Sequence, residues 1–166
     1  YKYHKHIEEL LENPDKTDEN GENPRRRMTS ILKLCREYVI NFSPDSSKNL
    51  LFMGNVGLGK THLLNAIIEK IKSNKPDANI LYITSENLMN DFYFALNIKT
   101  LHDFHNKYRS CDALLIDDIQ FIAGKGQMEE EIFHTFNIFT KEGKQLVFTS
   151  DKPPREIPKI EERLKT

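Results

Sequence analysis

Gly54-Asn55-Val56-Gly57-Leu58-Gly59-Lys60-Thr61 spells G-x-x-x-x-G-K-T, and the sequence on either side suits that pattern. Before it, Asn49-Leu50-Leu51-Phe52-Met53 is an apolar run of strand length. After it, Leu63, Leu64, Ala66, Ile67, Ile68 and Ile71 recur at helical spacing. A glycine-rich turn between strand and helix lets consecutive backbone N–H groups converge on a phosphate. The positive end of the helix dipole adds to the attraction. The predicted phosphate cradle runs through Gly54, Asn55, Val56, Gly57, Leu58, Gly59, Lys60, Thr61 and His62. In such a cradle Lys60 reaches the β- and γ-phosphates of ATP (or the β-phosphate of ADP), and the Thr61 hydroxyl holds Mg²⁺.

Beyond the cradle the sequence alternates. Asn74-Lys75-Pro76-Asp77 reads as a turn and Asn79–Thr84 as a strand. Ser85 is placed to cap a helix reaching about Leu96, and Thr100 with Asp103 suggests a capping box for another ending near Tyr108. Ala113–Ile116 is a wholly apolar strand, Glu129–Glu142 a helix with Ile132, Phe133, Phe136 and Phe139 on its buried side, and Gln145–Thr149 a fourth strand. Apolar strands alternating with helices predict an α/β P-loop NTPase fold, with a parallel sheet covered on both faces.

Upstream, Asn23 followed by Pro24 is a good helix start, and Met28, Ile31, Leu32, Cys35, Tyr38, Val39 and Phe42 make Pro24–Phe42 amphipathic. Residues 1–23, with a short helical stretch at His4–Glu12, read as an N-terminal segment and linker before a nucleotide-binding core at 24–166. A last helical fragment is expected at Lys159–Lys165.

Asp117 and Asp118 follow the third strand. An apolar strand ending in two carboxylates beside a P-loop is the Walker B pattern, with Asp117 near Mg²⁺ and Asp118 placed to orient or deprotonate an attacking water. Thr149-Ser150-Asp151 ends the fourth strand; Asp151 reads either as a γ-phosphate sensor or as an Asx turn into Pro153. Lys60, Asp117, Asp118 and Asp151 are therefore the catalytic candidates.

Composition narrows the rest. With 24 basic and 25 acidic residues among 166, the net charge is −1, so any nucleic-acid contact must come from a local patch. Cys35 and Cys111 fit no metal spacing and read as buried thiols of a reduced compartment. No run approaches a membrane span and no signal peptide is visible, so a cytoplasmic location is expected.

Longer stretches resemble a known family. Residues 49–52 and 57–67, Leu81 to Phe92, Lys107-Tyr108-Arg109-Ser110, Leu114 to Lys125, Phe133-His134-Thr135-Phe136-Asn137 and Thr149-Ser150-Asp151-Lys152-Pro153-Pro154 are similar to the ATPase core of bacterial DnaA replication initiators, in the AAA+ class. Residues 1–48, and Gly54-Asn55 where that family usually has two glycines, look more like the DnaC/DnaI helicase loaders.

The resemblance implies an AAA+ three-layer αβα sandwich that oligomerises with itself when ATP is bound and works on single-stranded or origin DNA. A replicative helicase is a further partner the loaders would imply. It implies that the helices at 86–109 grip single-stranded DNA through Lys99, His102, His105, Lys107 and Arg109. The same charges also suit a solvated helix face. Arg163 corresponds to an arginine next to the family's arginine finger, a candidate intersubunit contact. The finger, last strand and helical lid of the family would follow Thr166. Such a finger is worth about 10³–10⁵ in rate, so hydrolysis by this stretch alone is expected to be weak. A small-molecule P-loop kinase is the reading from another class; it needs an acceptor pocket and an arginine-bearing lid that 86–109 does not offer.

Overall fold

The computed structural model describes residues 23–42 and 49–153. Two compact units divide the chain, Tyr1–Phe42 and Ser43–Thr166. The expected helices at His4–Glu12 and Lys159–Lys165, and Arg163, lie outside the described residues.

Helix α1 spans Pro24–Ile40. Asn23 Oδ1 accepts from Arg26 N at 3.4 Å and starts it, as an N-cap before proline should. Cys35, Tyr38, Val39 and Phe42 are buried, whereas Met28 and Leu32 are exposed, so only the second half of the expected apolar face is covered.

Among the described residues the second unit is built on four parallel strands: β1 (Leu50–Met53), β2 (Ile80–Thr84), β3 (Ala113–Asp117) and β4 (Gln145–Ser150). Their order is β1-β4-β3-β2, which inserts the last strand between the P-loop strand and the strand ending in the acids. Leu50 pairs with Val147, Leu115 with Val147, and Tyr82 with Leu115. Central strands β3 and β4 are buried at every residue, which explains their unbroken apolar runs; β1 and β2 lie at the edges.

Side chains alternate across this sheet. Leu114, Ile116, Leu146 and Phe148 join one core with Leu88, Phe92, Phe104, Tyr108, Ile132, Phe136 and Phe139. Those residues come from helices α3 (Ser85–Asn97), α4 (Leu101–Arg109) and α5 (Gly126–Lys141). Phe139 is fully buried there, a contribution of about 2–3 kcal/mol from apolar burial. Helix α2 (Lys60–Asn74) buries Leu64, Ile67 and Ile71 and brings Thr61 to Asp117, on the face that Leu115 and Val147 share. Both faces of the sheet are thus covered, as its apolar strands predict.

Three local expectations need correction. Thr84, not Ser85, caps α3: its hydroxyl accepts from Asn87 N, while Ser85 turns inward. Thr100 makes no side-chain cap with Asp103; the two meet through Asp103 N and Thr100 O at 3.0 Å. Helix α5 begins at Gly126 rather than Glu129, preceded by an unforeseen 3-10 turn at Ile119–Ile122.

The junction between α3 and α4 is a Schellman end. Thr100 N donates to Ala95 O (2.8 Å) and Lys99 N to Leu96 O (3.2 Å), which puts Lys99 at φ 60°, where glycine is usual.

Candidate nucleotide site

Lys60, Thr61, Asp117, Asp118 and Asp151 all sit at the C-terminal end of a parallel strand or the start of α2. The P-loop leaves β1 and turns through Gly57 (φ 89°) and Gly59 (φ 81°), left-handed positions that glycine adopts without a Cβ clash. Gly54 N donates to Ser150 O at 3.2 Å, anchoring the loop entrance to the end of β4. Val56 and Leu58 stand exposed on the rim.

Lys60 has three ammonium protons and three acceptors: Gly54 O at 2.7 Å, Asn55 O at 3.0 Å and Asp151 Oδ1. Its side chain is 10% exposed and that of Asp151 25%, so the ion pair is little screened by water. Asp151 thus meets the P-loop lysine directly, which favours a site role over a plain strand-end turn.

Asp117 is 3% exposed and receives three hydroxyl donors. Thr61 Oγ1 and Tyr82 OH donate to Oδ2, at 2.7 and 3.0 Å, and Thr149 Oγ1 donates to Oδ1. Burial, reinforced by the hydrogen bond to Asp117 and the charges of Asp117 and Asp118, pushes the Tyr82 phenol up to about 12. Tyr82 therefore stays a proton donor at neutral pH.

Asp118 adopts a left-handed conformation, φ 59° and ψ 49°. Its N–H donates to Thr149 Oγ1 at 2.8 Å, and its carbonyl accepts from Ser85 Oγ at 2.7 Å and Phe121 N at 3.1 Å. These bonds from three elements hold the conformation, whose cost for an L-residue is about 1–2 kcal/mol. The same Ser85 proton is shared with Asp117 O at 2.8 Å, so one buried hydroxyl bridges both acid carbonyls. Thr149, Tyr82, Ser85 and Gln120 were not among the site residues the sequence suggested; Ser85 was expected only as a helix cap. Thr149 alone left a signal there, as the first residue of the strand-end polar cluster Thr149-Ser150-Asp151.

The proposed DNA-facing residues are not equally available. Lys99 and His102 are exposed, His102 with Asn106 Nδ2 at 3.0 Å. Lys107 is exposed but pairs with Asp91 at 2.7 Å. Its ammonium and the Tyr108 hydroxyl hold the Asp91 carboxyl below the usual range. His105 and Arg109 turn instead to Glu131 of α5, at 3.2 and 2.5 Å. That carboxylate is 10% exposed and ties α4 to α5.

Among the described residues no group of three or more His, Cys, Asp or Glu side chains could hold a metal, and no helix is long and apolar enough to cross a membrane. Both cysteines are free and buried; burial pushes the Cys111 thiol up to about 11.

The model of the bacterial DnaA ATPase domain matches residues 33–166. The chain belongs to the bacterial DnaA ATPase domain family. It is 47% identical over 137 residues to the chromosomal replication initiator protein DnaA of Limosilactobacillus fermentum, covering 82% of this chain and 31% of that protein. The chain thus spans about a third of the length of that DnaA. Domain III of Thermotoga maritima DnaA superposes with a TM-score of 0.73 at 39% identity, over 79% of this chain and 54% of that one. A DnaA bound to AMPPCP and single-stranded DNA superposes with a TM-score of 0.70 at 31% identity, over 80% of this chain and 40% of that one. The DnaC helicase loader also reaches a TM-score of 0.70, over 81% of this chain and 85% of its own, but at 21% identity it shares the fold alone. The fold is the AAA+ P-loop NTPase fold of DnaA, as the sequence predicts.

Proposed function

We propose that this chain is the ATP-binding core of a DnaA-like replication initiator that assembles on single-stranded DNA when ATP is bound. The observation that carries the reading is the convergence of Lys60, Asp117, Asp118 and Asp151 from three chain segments at one end of the sheet, with Lys60 on Asp151 and Thr61 on Asp117. The DnaA with AMPPCP and single-stranded DNA supports the choice of both ligands.

In this reading the backbone N–H groups of Gly57–Thr61 and the dipole of α2 bind the phosphates, and Lys60 neutralises their charge. Thr61 Oγ1 and Asp117 Oδ2, 2.7 Å apart, are hard oxygen donors that fit Mg²⁺. Mg²⁺ would screen the phosphate oxygens there, directly or through water. Asp118 orients the attacking water and takes its proton. Lys99, His102 and Lys107 are the exposed DNA donors, while His105 and Arg109 hold α4 in place. Self-assembly, contact of Arg163 with a neighbour and a replicative helicase partner belong to the same proposal. The 47% identity to a chromosomal replication initiator DnaA supports an initiator rather than a loader.

Fluorescence anisotropy of labelled single-stranded DNA, titrated with protein plus ATP·Mg²⁺ or ADP·Mg²⁺, tests this reading, with Lys60→Ala as control. ATP-dependent binding that the variant loses is the expected result. Equal binding with either nucleotide, unchanged in the variant, would sink it.

A further inference from the structure

We propose that Gln120 is a positioning residue that joins Asp151 to Asp118, so that the phosphate occupying Lys60 is read at the water-activating acid. The inference rests on the ATP reading above and adds to it a route between two strand ends.

Gln120 lies in the 3-10 turn after β3. Ile119 and Ile122 on either side are fully buried and fix the turn, while Phe121 points outward. Gln120 is itself only 8% exposed, so its amide must find partners inside. Oε1 accepts from Asp151 N at 3.2 Å; Nε2 donates to Asp118 Oδ1 at 3.2 Å and Asp151 Oδ2 at 3.4 Å. Turning the amide over would set a carbonyl oxygen against two carboxylates, so the orientation is fixed by its surroundings.

A buried glutamine satisfied by its nearest neighbours is the bland account. What goes beyond it is which neighbours these are. Asp151 Oδ1 carries Lys60 while its Oδ2 faces Gln120, and the second amide proton of Gln120 goes to Asp118. The path Lys60–Asp151–Gln120–Asp118 is continuous. All three Lys60 protons are engaged, so a phosphate that takes one competes first with Asp151, the acceptor of like charge. Any movement of Asp151 shifts the hydrogen bonds of Gln120 and, through them, Asp118. A neutral amide can bridge two carboxylates at every working pH. A glutamate there cannot, because Asp118 and Asp151 face it, with Lys60 only on the far oxygen of Asp151.

The test compares ATP and ADP affinities of wild-type protein, Gln120→Leu and Gln120→Glu, with fluorescent nucleotide analogues between about pH 6 and pH 8. Gln120→Leu should lower the ATP-to-ADP affinity ratio about tenfold at every pH, the scale of lost hydrogen bonds to charged groups. Gln120→Glu should lower it at the alkaline end and recover it at the acid end, where the protonated carboxyl donates again; wild type should stay flat. Equal losses for ATP and ADP, or a Gln120→Glu profile as flat as wild type, would overturn the inference and leave the ATP reading standing. Wild-type protein that binds neither nucleotide would overturn both.

Discussion

Thr61 Oγ1 donates to Asp117 Oδ2 across 2.7 Å, joining the first turn of α2 to the end of β3, residues that are 56 positions apart. The hydroxyl of Thr61 and the carboxylate of Asp117 are thus already within the reach of one cation. Thr61→Ala should leave nucleotide affinity without Mg²⁺ within about twofold of wild type while removing most of the Mg²⁺-dependent gain, since only an oxygen donor to a hard cation is lost. Calorimetric titration of ATP with and without Mg²⁺ checks this. Serine at the same position should restore the gain.

Asp118 separates chemistry from backbone. Its left-handed conformation suits Asn or Asp far better than Ala. Asp118→Asn and Asp118→Ala should both abolish hydrolysis, but only the alanine variant should lose about 1 kcal/mol of stability. Thermal melting beside a turnover assay distinguishes the two effects.

Lys99 offers the converse experiment, at a left-handed helix end rather than a strand end. Lys99→Gly removes that strain, offset in part by glycine's greater unfolded freedom, for a net gain of about 0.5 kcal/mol. Lys99→Ala keeps the strain. If Lys99 touches DNA phosphates, both variants should weaken single-strand binding equally and flatten its salt dependence by about one counterion. Melting curves and salt titrations read the two quantities separately.

Glu131 is the buried acceptor for Arg109, His105 and Thr135. Among the described residues Arg109 Nε has no partner, so the pair with Glu131 is the main compensation for burying that guanidinium. Glu131→Ala should cost about 3 kcal/mol, visible as a lower denaturation midpoint. Arg109→Met, which removes the charge along with its need for a partner, should cost distinctly less than Arg109→Ala.

Asp91 predicts a pH signature. Hydrogen bonds from Lys107 and Tyr108 hold its carboxyl low in the folded protein. A depressed folded value stabilises above the unfolded carboxylate range and is lost as pH falls through the folded value. The melting difference between wild type and Asp91→Asn should therefore be greatest above about pH 5 and disappear in stronger acid. A difference that grew as pH fell would contradict the assigned sign.

Much of this was legible in the sequence because parallel strands buried on both faces leave an unmistakable record. Ala113–Ile116 and Leu146–Phe148 are apolar without alternation, and the acids Asp117 and Asp151 mark the strand ends. The P-loop carried its own context. What stayed hidden depends on tertiary partners. Thr84 and Ser85 are adjacent hydroxyls that compete for one cap, and only the carbonyls of Asp117 and Asp118 draw Ser85 away. Ile119, Phe121 and Ile122 fit neither helical nor strand period over four residues, so the turn between them went unseen. Arg109 carries a charge that any reading offers to DNA; its actual acceptor, Glu131, lies 22 residues away on another helix.

The strand order also has a consequence for how the protein is made. β1, which launches the P-loop, is hydrogen-bonded to β4, and Asn49 meets Leu146 across 97 positions of sequence. At synthesis rates of about 5–20 residues per second, roughly 5–20 s pass between the two strands leaving the ribosome. Throughout that interval Lys60 has no Asp151 to meet, and an apolar strand waits without its neighbour. A nascent chain of this protein should gain nucleotide binding abruptly, when β4 docks, and until then should be a client for chaperones.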